Sequence, residues 1–389
     1  MKVLVVGAGM YVTGRHGTGA GTVMAALAQA SRTMPIDEVL VVARDPGNAA
    51  LVTEAAARVN QLLGSSLAFR YQVIDGDRRL DQQLSLADFA CSIVVVPDHL
   101  HFRYTAELLE ARVPPLVVKP LVPTVAEARK LIEIQDRTDT YAAVEFHKRW
   151  DESNLMTRRY IAENRLGPLV YAVVDYSQRI RIPTEVFKGW ADRTNIFQYL
   201  GVHYVDLLYF LTGLTPLRAM AVGTRGVLTS RGVNTYDSVH AQVLWGKPGD
   251  AEHRFVSLLS INWIDPNTTS ALSDQKMKVI CGEGRIELDQ KDRGIEVVTN
   301  RDGIQHVNPY FADYLPSDSG SLDFQGYGYK SIAAFFADVL ALQAGKTTRA
   351  KLEPLRPTLR QSLVSVAIVE AVNESLAHGS EWRTIDASL

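Results

Sequence analysis

The sequence predicts an α/β protein. An N-terminal Rossmann-type dinucleotide-binding domain is expected over residues 1–146, and an α/β domain with a mostly antiparallel, open-faced sheet over residues 147–389. Three observations carry this. Short, continuous apolar runs alternate with helix-period segments in the first part, the pattern of parallel strands buried on both faces. Gly7-Ala8-Gly9 follows the first such run directly. From about residue 167 the runs change to two-residue alternation separated by turn residues, as in antiparallel strands with one packed face.

Taken in order, Val3–Val6 is a buried strand, Val23–Ala30 a helix, Val39–Ala43 a second strand and Ala49–Leu63 a helix. Tyr71–Ile74, Ile93–Val96, Leu116–Val118 and Tyr141–Phe146 are further strands, with helices from about Phe102 to Ala111 and Thr124 to Gln135. In the second part the alternating segments are Val170–Ser177, Ser238–Trp245, Phe255–Trp263, Lys276–Leu288 and Gly294–Val297. A helix from Ile196 to Leu211, ending at Gly213, interrupts them. Helices near Ser331–Ala344 and Pro357–His378 follow and are expected to return to the first domain, while the Ser-, Asp- and Gly-rich stretch Pro309–Gly328 reads as a long loop.

The chain has 389 residues, enough for two domains. Its formal net charge of -2 and lack of a basic run argue against nucleic acid or an anionic membrane as partner. Cys91 and Cys281 form no CxxC pair, so free thiols are expected. The opening MKVLVVGAGM has too short an apolar run for a signal peptide, and no stretch reaches the roughly 18 apolar residues of a membrane span. A cytoplasmic protein is the expectation.

Glycines at Gly7 and Gly9 allow a tight turn and close approach of backbone to a pyrophosphate, with Met10 and Tyr11 opening the next segment. The following helix is expected to aim its amides at the phosphates. The third glycine of GxGxxG is absent, since Val12 holds that position, and the glycine-rich loop runs on to Thr22. Arg15 and His16 are candidate phosphate neighbours. The second strand ends Ala43-Arg44, with no acid at Ala43 to bind a ribose 2′-hydroxyl and an arginine able to meet a phosphate, which favours NADP over NAD.

Two spaced motifs then bring a family into view. Pro97-Asp98-x-x-His101 follows one strand, and Val118-Lys119-Pro120 ends the next. Farther on, Tyr199, Gly201, His203 and Asp206 fall in FQYLGVHYVDLLYFLTG. Together these resemble the Gfo/Idh/MocA family, which includes glucose–fructose oxidoreductase and inositol dehydrogenase. In that family the corresponding patterns are Pro-Asn-x-x-His, Glu-Lys-Pro and Asp-x-Gly-x-His-x-x-Asp. This chain departs from them at Asp98, at Val118, where the family has Glu, and at Tyr199, where it has Asp.

The resemblance implies hydride transfer between NAD(P) and a hydroxyl or keto carbon of a sugar, cyclitol or sugar derivative. It also implies Lys119 at the reacting oxygen, and a homodimer or homotetramer. A lysine acting as base near neutral pH needs its pKa lowered by about 3 units. Tyr199 and His203, four residues apart, share a helix face, and either can exchange a proton. Pro97, Asp98, His101 and Pro120 are expected along the cofactor path. Lys148, Arg149, Trp190, Asn262 and Trp263 are candidate substrate contacts, with Asp265 beside them. No histidine spacing suggests a metal site. Two other readings stay open: a reductase of a non-sugar substrate such as a dihydrodiol or tetrapyrrole, and an NAD(P)-binding sensor without turnover.

Overall fold

The computed structural model describes residues 1–14, 21–247, 249–250, 254–318 and 320–388. The chain forms two compact units. The first comprises Met1–Val122, Ala126–Asp151 and Tyr310–Ser362; the second comprises Pro123–Val125, Glu152–Pro309 and Leu363–Leu389. Residues 310–362, counted with the second domain in the sequence reading, thus group with the first unit.

The first unit is built on a parallel sheet of β1 (Lys2–Val6), β2 (Glu38–Ala43), β3 (Ala68–Val73), β4 (Cys91–Val94), β5 (Pro115–Val118) and β6 (Ala143–Glu145). Its order is β3-β2-β1-β4-β5-β6, that of a doubly wound dinucleotide-binding sheet. Val3, Leu4, Val5 and Val6 are at most 1% exposed, because the strand they form is covered on both faces. The helices are α1 (Met10–Thr13), α2 (Val23–Ser31), α3 (Asn48–Leu63), α4 (His101–Glu110) and α5 (Val125–Thr138). Ala25, Leu27 and Ala28 of α2 and Val52, Ala55 and Val59 of α3 pack in the same core.

The helix expected over Val23–Ala30 is α2, and a single helical turn, Met10–Thr13, precedes it directly after the glycine turn. One expectation is corrected here. The stretch Pro309–Gly328 is not a plain loop. It holds a hairpin of β15 (Asp313–Pro316) and β16 (Leu322–Gln325), in which Tyr314 pairs with Phe324, ring centroids 5.1 Å apart. Phe324 is buried in the core, and Arg32 of the α2 C-terminus forms an ion pair with Asp323. Helices α8 (Tyr327–Gln343) and α9 (Arg349–Leu352) follow in this unit.

The second unit carries a larger sheet. Its strands are β7 (Leu169–Arg179), β8 (Thr215–Thr224), β9 (Ser238–Gly246), β10 (Phe255–Asp265), β11 (Ser273–Cys281), β12 (Arg285–Asp289) and β17 (Arg383–Thr384). The order is β12-β11-β7-β10-β9-β8-β17, antiparallel except where β7 and β10 run parallel. One face is buried through Ala172, Val174, Val243, Trp245, Leu259 and Ile261. The other keeps Tyr171, Val173 and Val222 at 36–47% exposure. Helices α6 (Glu152–Ala162), α7 (Val202–Thr212) and most of α10 (Leu359–Ala377) complete the unit. Ile295–Thr299 does not join this sheet; as β13 it pairs with β14 (Gly303–Val307) in a separate exposed hairpin. Both cysteines are free and buried, and no helix among the described residues is long and apolar enough to cross a membrane.

Candidate active site

In the first unit the residues singled out by the sequence gather at the carboxyl edge of the parallel sheet. Gly7 follows β1, Ala43 ends β2, Pro97 lies just beyond β4, and Lys119 follows β5. Open α/β sheets bind ligands at this edge, where the strand order reverses between β1 and β4. Gly7 has φ +113, and a Cβ there would stand 1.9 Å from the Val95 carbonyl oxygen, so only glycine fits. A Cβ on Gly9 would meet nothing within 4 Å. That open backbone is what close approach of a pyrophosphate requires. Met10 and Tyr11 form the short helical turn beside it, whereas Arg15 and His16 lie outside the described residues.

At the end of β2, Ala43 is half-buried and Arg44 exposed. The Arg44 side chain crosses Gly76, where a Cβ would stand 2.5 Å from its Cδ. Gly76 went unnoticed in the sequence; its missing side chain is what lets the guanidinium pass.

Lys119 is 9% exposed, and its bond to Pro120 is cis. Burial pushes the amine's pKa down to about 7, against the opposing pull of the Asp98 and Glu145 charges. Asp98, 3% exposed, also accepts from the His99 amide at 2.9 Å. His101 is corrected from cofactor contact to scaffold. It is 1% exposed, with Nδ1 at 2.6 Å from the Pro120 carbonyl and Nε2 at 2.8 Å from that of Val96. The ring therefore ties the chain after β4 to the chain after β5. Its burial lowers the imidazole pKa, with Asp98 and these carbonyls opposing.

Glu145, at the end of β6, also went unnoticed in the sequence. It is 1% exposed, accepts a hydrogen bond from the Ser331 hydroxyl at 2.7 Å, and lies 3.1 Å from His147 Nδ1. The phenol oxygen of Tyr11 is buried nearby; burial first, then the Glu145 charge, raises its pKa. Lys148 and Arg149 sit in the next turn, 2% and 6% exposed, with Arg149 donating to Gln361 at 3.4 Å.

In the second unit, Tyr199 lies in a π-helical turn, Phe197–Gly201, that runs into α7. The extra residue per turn loosens the simple four-residue relation to His203 expected from an α-helix. Gly201 has a steric reason, since a Cβ there would stand 2.7 Å from the Phe197 ring. Asn195 holds the turn: its Oδ1 accepts from the Gln198 amide at 3.0 Å and its Nδ2 donates to Asn373 at 2.7 Å. His203 and Asp206 are buried, 5% and 1% exposed.

The Tyr199 ring is enclosed by Phe187, Trp263 and Trp190 at centroid distances of 5.0, 5.5 and 6.3 Å. Trp263 is fully buried and its indole N–H donates to Gln178 at 2.8 Å. The expected role of Trp263 as a hydrogen-bonding contact is therefore corrected: its polar atom is engaged internally. The Asn262 side-chain oxygen accepts from the Ile264 amide at 3.1 Å, stabilising the irregularity where β10 leaves its register with β7. Asp265 accepts from Ser177 at 2.6 Å. Half-buried Trp190 stays against Phe187, centroids 4.6 Å apart. Among the described residues no cluster of three or more His, Cys, Asp or Glu side chains is placed to hold a metal.

Residues 1–146 match the family model described as "Oxidoreductase family, NAD-binding Rossmann fold", that of Gfo/Idh/MocA. The first domain belongs to the Gfo/Idh/MocA oxidoreductases. Among curated proteins, the chain is similar to the scyllo-inositol 2-dehydrogenase (NADP(+)) IolW of Bacillus subtilis (strain 168), 26% identical over 159 residues. That match covers 40% of this chain and 42% of the relative, so the chain aligns with less than half of that protein. Among solved structures, a putative myo-inositol dehydrogenase from Sinorhizobium meliloti 1021 superposes with a TM-score of 0.68 at 17% identity, covering 99% of each chain. The scyllo-inositol dehydrogenase from Lactobacillus casei, solved with NAD(H) and scyllo-inositol, gives 0.67 at 14% identity over 98% of each. At such identities the likeness establishes the fold of this chain and no more.

Proposed function

We propose that this Gfo/Idh/MocA chain is an NAD(P)-dependent oxidoreductase acting on a hydroxyl or keto carbon of a cyclitol, sugar or sugar derivative. The observation that carries the reading is Lys119: a buried amine at the carboxyl edge of the dinucleotide-binding sheet, its pKa lowered to about 7. There it can take a proton from a substrate hydroxyl or return one to a keto oxygen at neutral pH. The bound dinucleotide supplies or accepts the hydride. Gly9 gives its pyrophosphate access to backbone, Gly7 makes the turn that presents it, and Pro97, Asp98 and Pro120 shape the path on either side of the amine. Tyr199 or His203 serves as the second proton-handling group. Lys148, Arg149 and Trp190 are the remaining substrate contacts in this reading. The inositol dehydrogenases among its relatives support a polyhydroxylated ring as substrate.

NADP is the favoured cofactor, because β2 ends in Ala43-Arg44 without an acid to repel a 2′-phosphate. The Bacillus subtilis relative is named for NADP(+), in line with this choice, whereas the Lactobacillus casei structure holds NAD(H). The protein is further expected to assemble as a homodimer or homotetramer.

The test is turnover of reduced or oxidised nicotinamide with a panel of inositols, inososes, polyols and keto-sugars, followed by nicotinamide absorbance. Lys119→Ala should lower kcat by about three orders of magnitude while cofactor affinity, read by fluorescence titration, stays within a few-fold. Equal kcat in the mutant removes the mechanism. Binding of NADP with no turnover of any substrate favours a sensor instead. To assign the second group, Tyr199→Phe and His203→Asn are compared; the larger loss in kcat at unchanged KM identifies the proton carrier.

A further inference from the structure

We propose that Glu145 is the positioning carboxylate of this site, supplying from the neighbouring strand the negative charge that Val118 cannot supply beside Lys119. The inference rests on the reading of Lys119 as the proton-handling amine. Strands β5 and β6 run parallel, and Val118 and Glu145 are direct partners in their register. The side chain at 145 therefore starts one strand away from the residue that precedes Lys119. A buried, ionised carboxylate is costly unless its oxygens are hydrogen-bonded. Here one oxygen accepts from Ser331 of α8 and the other faces His147. The His147 ring is itself held between Tyr327 and Phe311, at centroid distances of 5.6 and 5.1 Å.

The groups acting on this carboxylate come from every side. Tyr11 approaches from α1, Lys119 from the turn after β5, His147 from the turn after β6, and Ser331 from α8. Asp98, from the turn after β4, is the stronger of the two anions acting on the amine, and Glu145 is the other. Glu145 thereby opposes the desolvation that drives Lys119 neutral, and it keeps the ammonium form populated near neutral pH.

The test is an NMR titration of the intact protein labelled at lysine Cε, with the Lys119 signal assigned by its loss in Lys119→Arg. The wild-type midpoint is expected near 7. In Glu145→Gln, which keeps the shape and an acceptor for Ser331, the midpoint should fall by about one pH unit. Glu145→Asp should restore most of it. In the unmodified protein, the Glu145 carboxyl carbon should shift at the same pH as Lys119 Cε, a readout that needs no variant. An unchanged Lys119 midpoint in Glu145→Gln, or a Glu145 carbon blind to the Lys119 transition, overturns the proposal. In turnover assays, the acidic limb of kcat/KM for substrate oxidation should move to lower pH by the same amount. If the wild-type protein turns over no cyclitol or sugar, the oxidoreductase reading fails while the titration still judges Glu145.

Discussion

At the scale of single residues, the two glycines of the first turn make opposite demands. Gly7 sits at φ +113 with Val95 pressed against it, whereas Gly9 has an ordinary φ of -72 and open space. Gly7→Ala should therefore cost on the order of 3 kcal/mol in chemical denaturation, and Gly9→Ala less than about 0.5 kcal/mol. Gly9→Ala should instead weaken NADP binding by about tenfold or more, because its methyl group takes up the room left for a phosphate. Equal stability losses would show that Gly9 serves folding rather than ligand access. For Lys119 the sign of the pH dependence follows from its lowered pKa of about 7. The neutral amine is the base, so oxidation of a hydroxyl should rise with pH through that value and level off above it. Reduction of the keto compound, which needs the ammonium, should run the other way. A profile flat between roughly pH 6 and 8, the window around the lowered pKa, would assign the proton to another group. Lys119 was legible in the sequence because the proline after it and the spaced Pro97–His101 turn make a pattern. Glu145 was not, because an acid in a run as short as Ala-Val-Glu-Phe reads as an exposed strand end. Only the pairing of β5 with β6 reveals that it is buried opposite Val118.

At the scale of elements, β1, β2 and β5 were read to within one residue at each end and β4 and β6 to within two, since their apolar runs are continuous and bounded by turns. What escaped the sequence had a physical reason in each case. β8 carries Arg218, Met220 and Val222 on its open side, so its pattern is blurred by side chains that never meet a core. The hairpin of β15 and β16 hides its single cross-strand aromatic pair behind a turn of serines and aspartate. The π turn at Phe197–Gly201 cannot be seen in apolar spacing, because it depends on the bonds that Asn195, Gln198 and Asn373 exchange. That network carries a prediction. Asn373→Leu removes both side-chain partners of the turn, and should cost about 1–3 kcal/mol of stability through the unsatisfied amides left behind. If Tyr199 takes part in turnover, kcat should fall together with it. Loss of stability with full kcat would separate the turn from the chemistry.

At the scale of the molecule, the second unit presents a sheet face for which the fold itself has no further use. Across one row, Lys278, Val173, Leu258, Gln242 and Met220 lie side by side on β11, β7, β10, β9 and β8. In the next row Ile280, Tyr171, Val256 and Leu244 do the same. Val173 and Tyr171 are 36% and 37% exposed; the second row is apolar throughout and is flanked by Arg285 of β12 and Arg218 of β8, while the first runs from Lys278 to Met220. An apolar patch flanked by charged residues is the composition of an interface core with a polar rim. The expected oligomer should therefore form through this face. Light scattering at micromolar concentration should give a mass two or four times 43.0 kDa, and the thermal midpoint should rise with protein concentration. Val173→Glu sets a charge opposite its own copy at the middle of the face. It should shift the mass toward 43.0 kDa without changing the circular dichroism of the folded chain. A wild-type protein already monomeric at that concentration, or a Val173→Glu variant still fully assembled, would mean that copies of this chain do not meet across the open sheet.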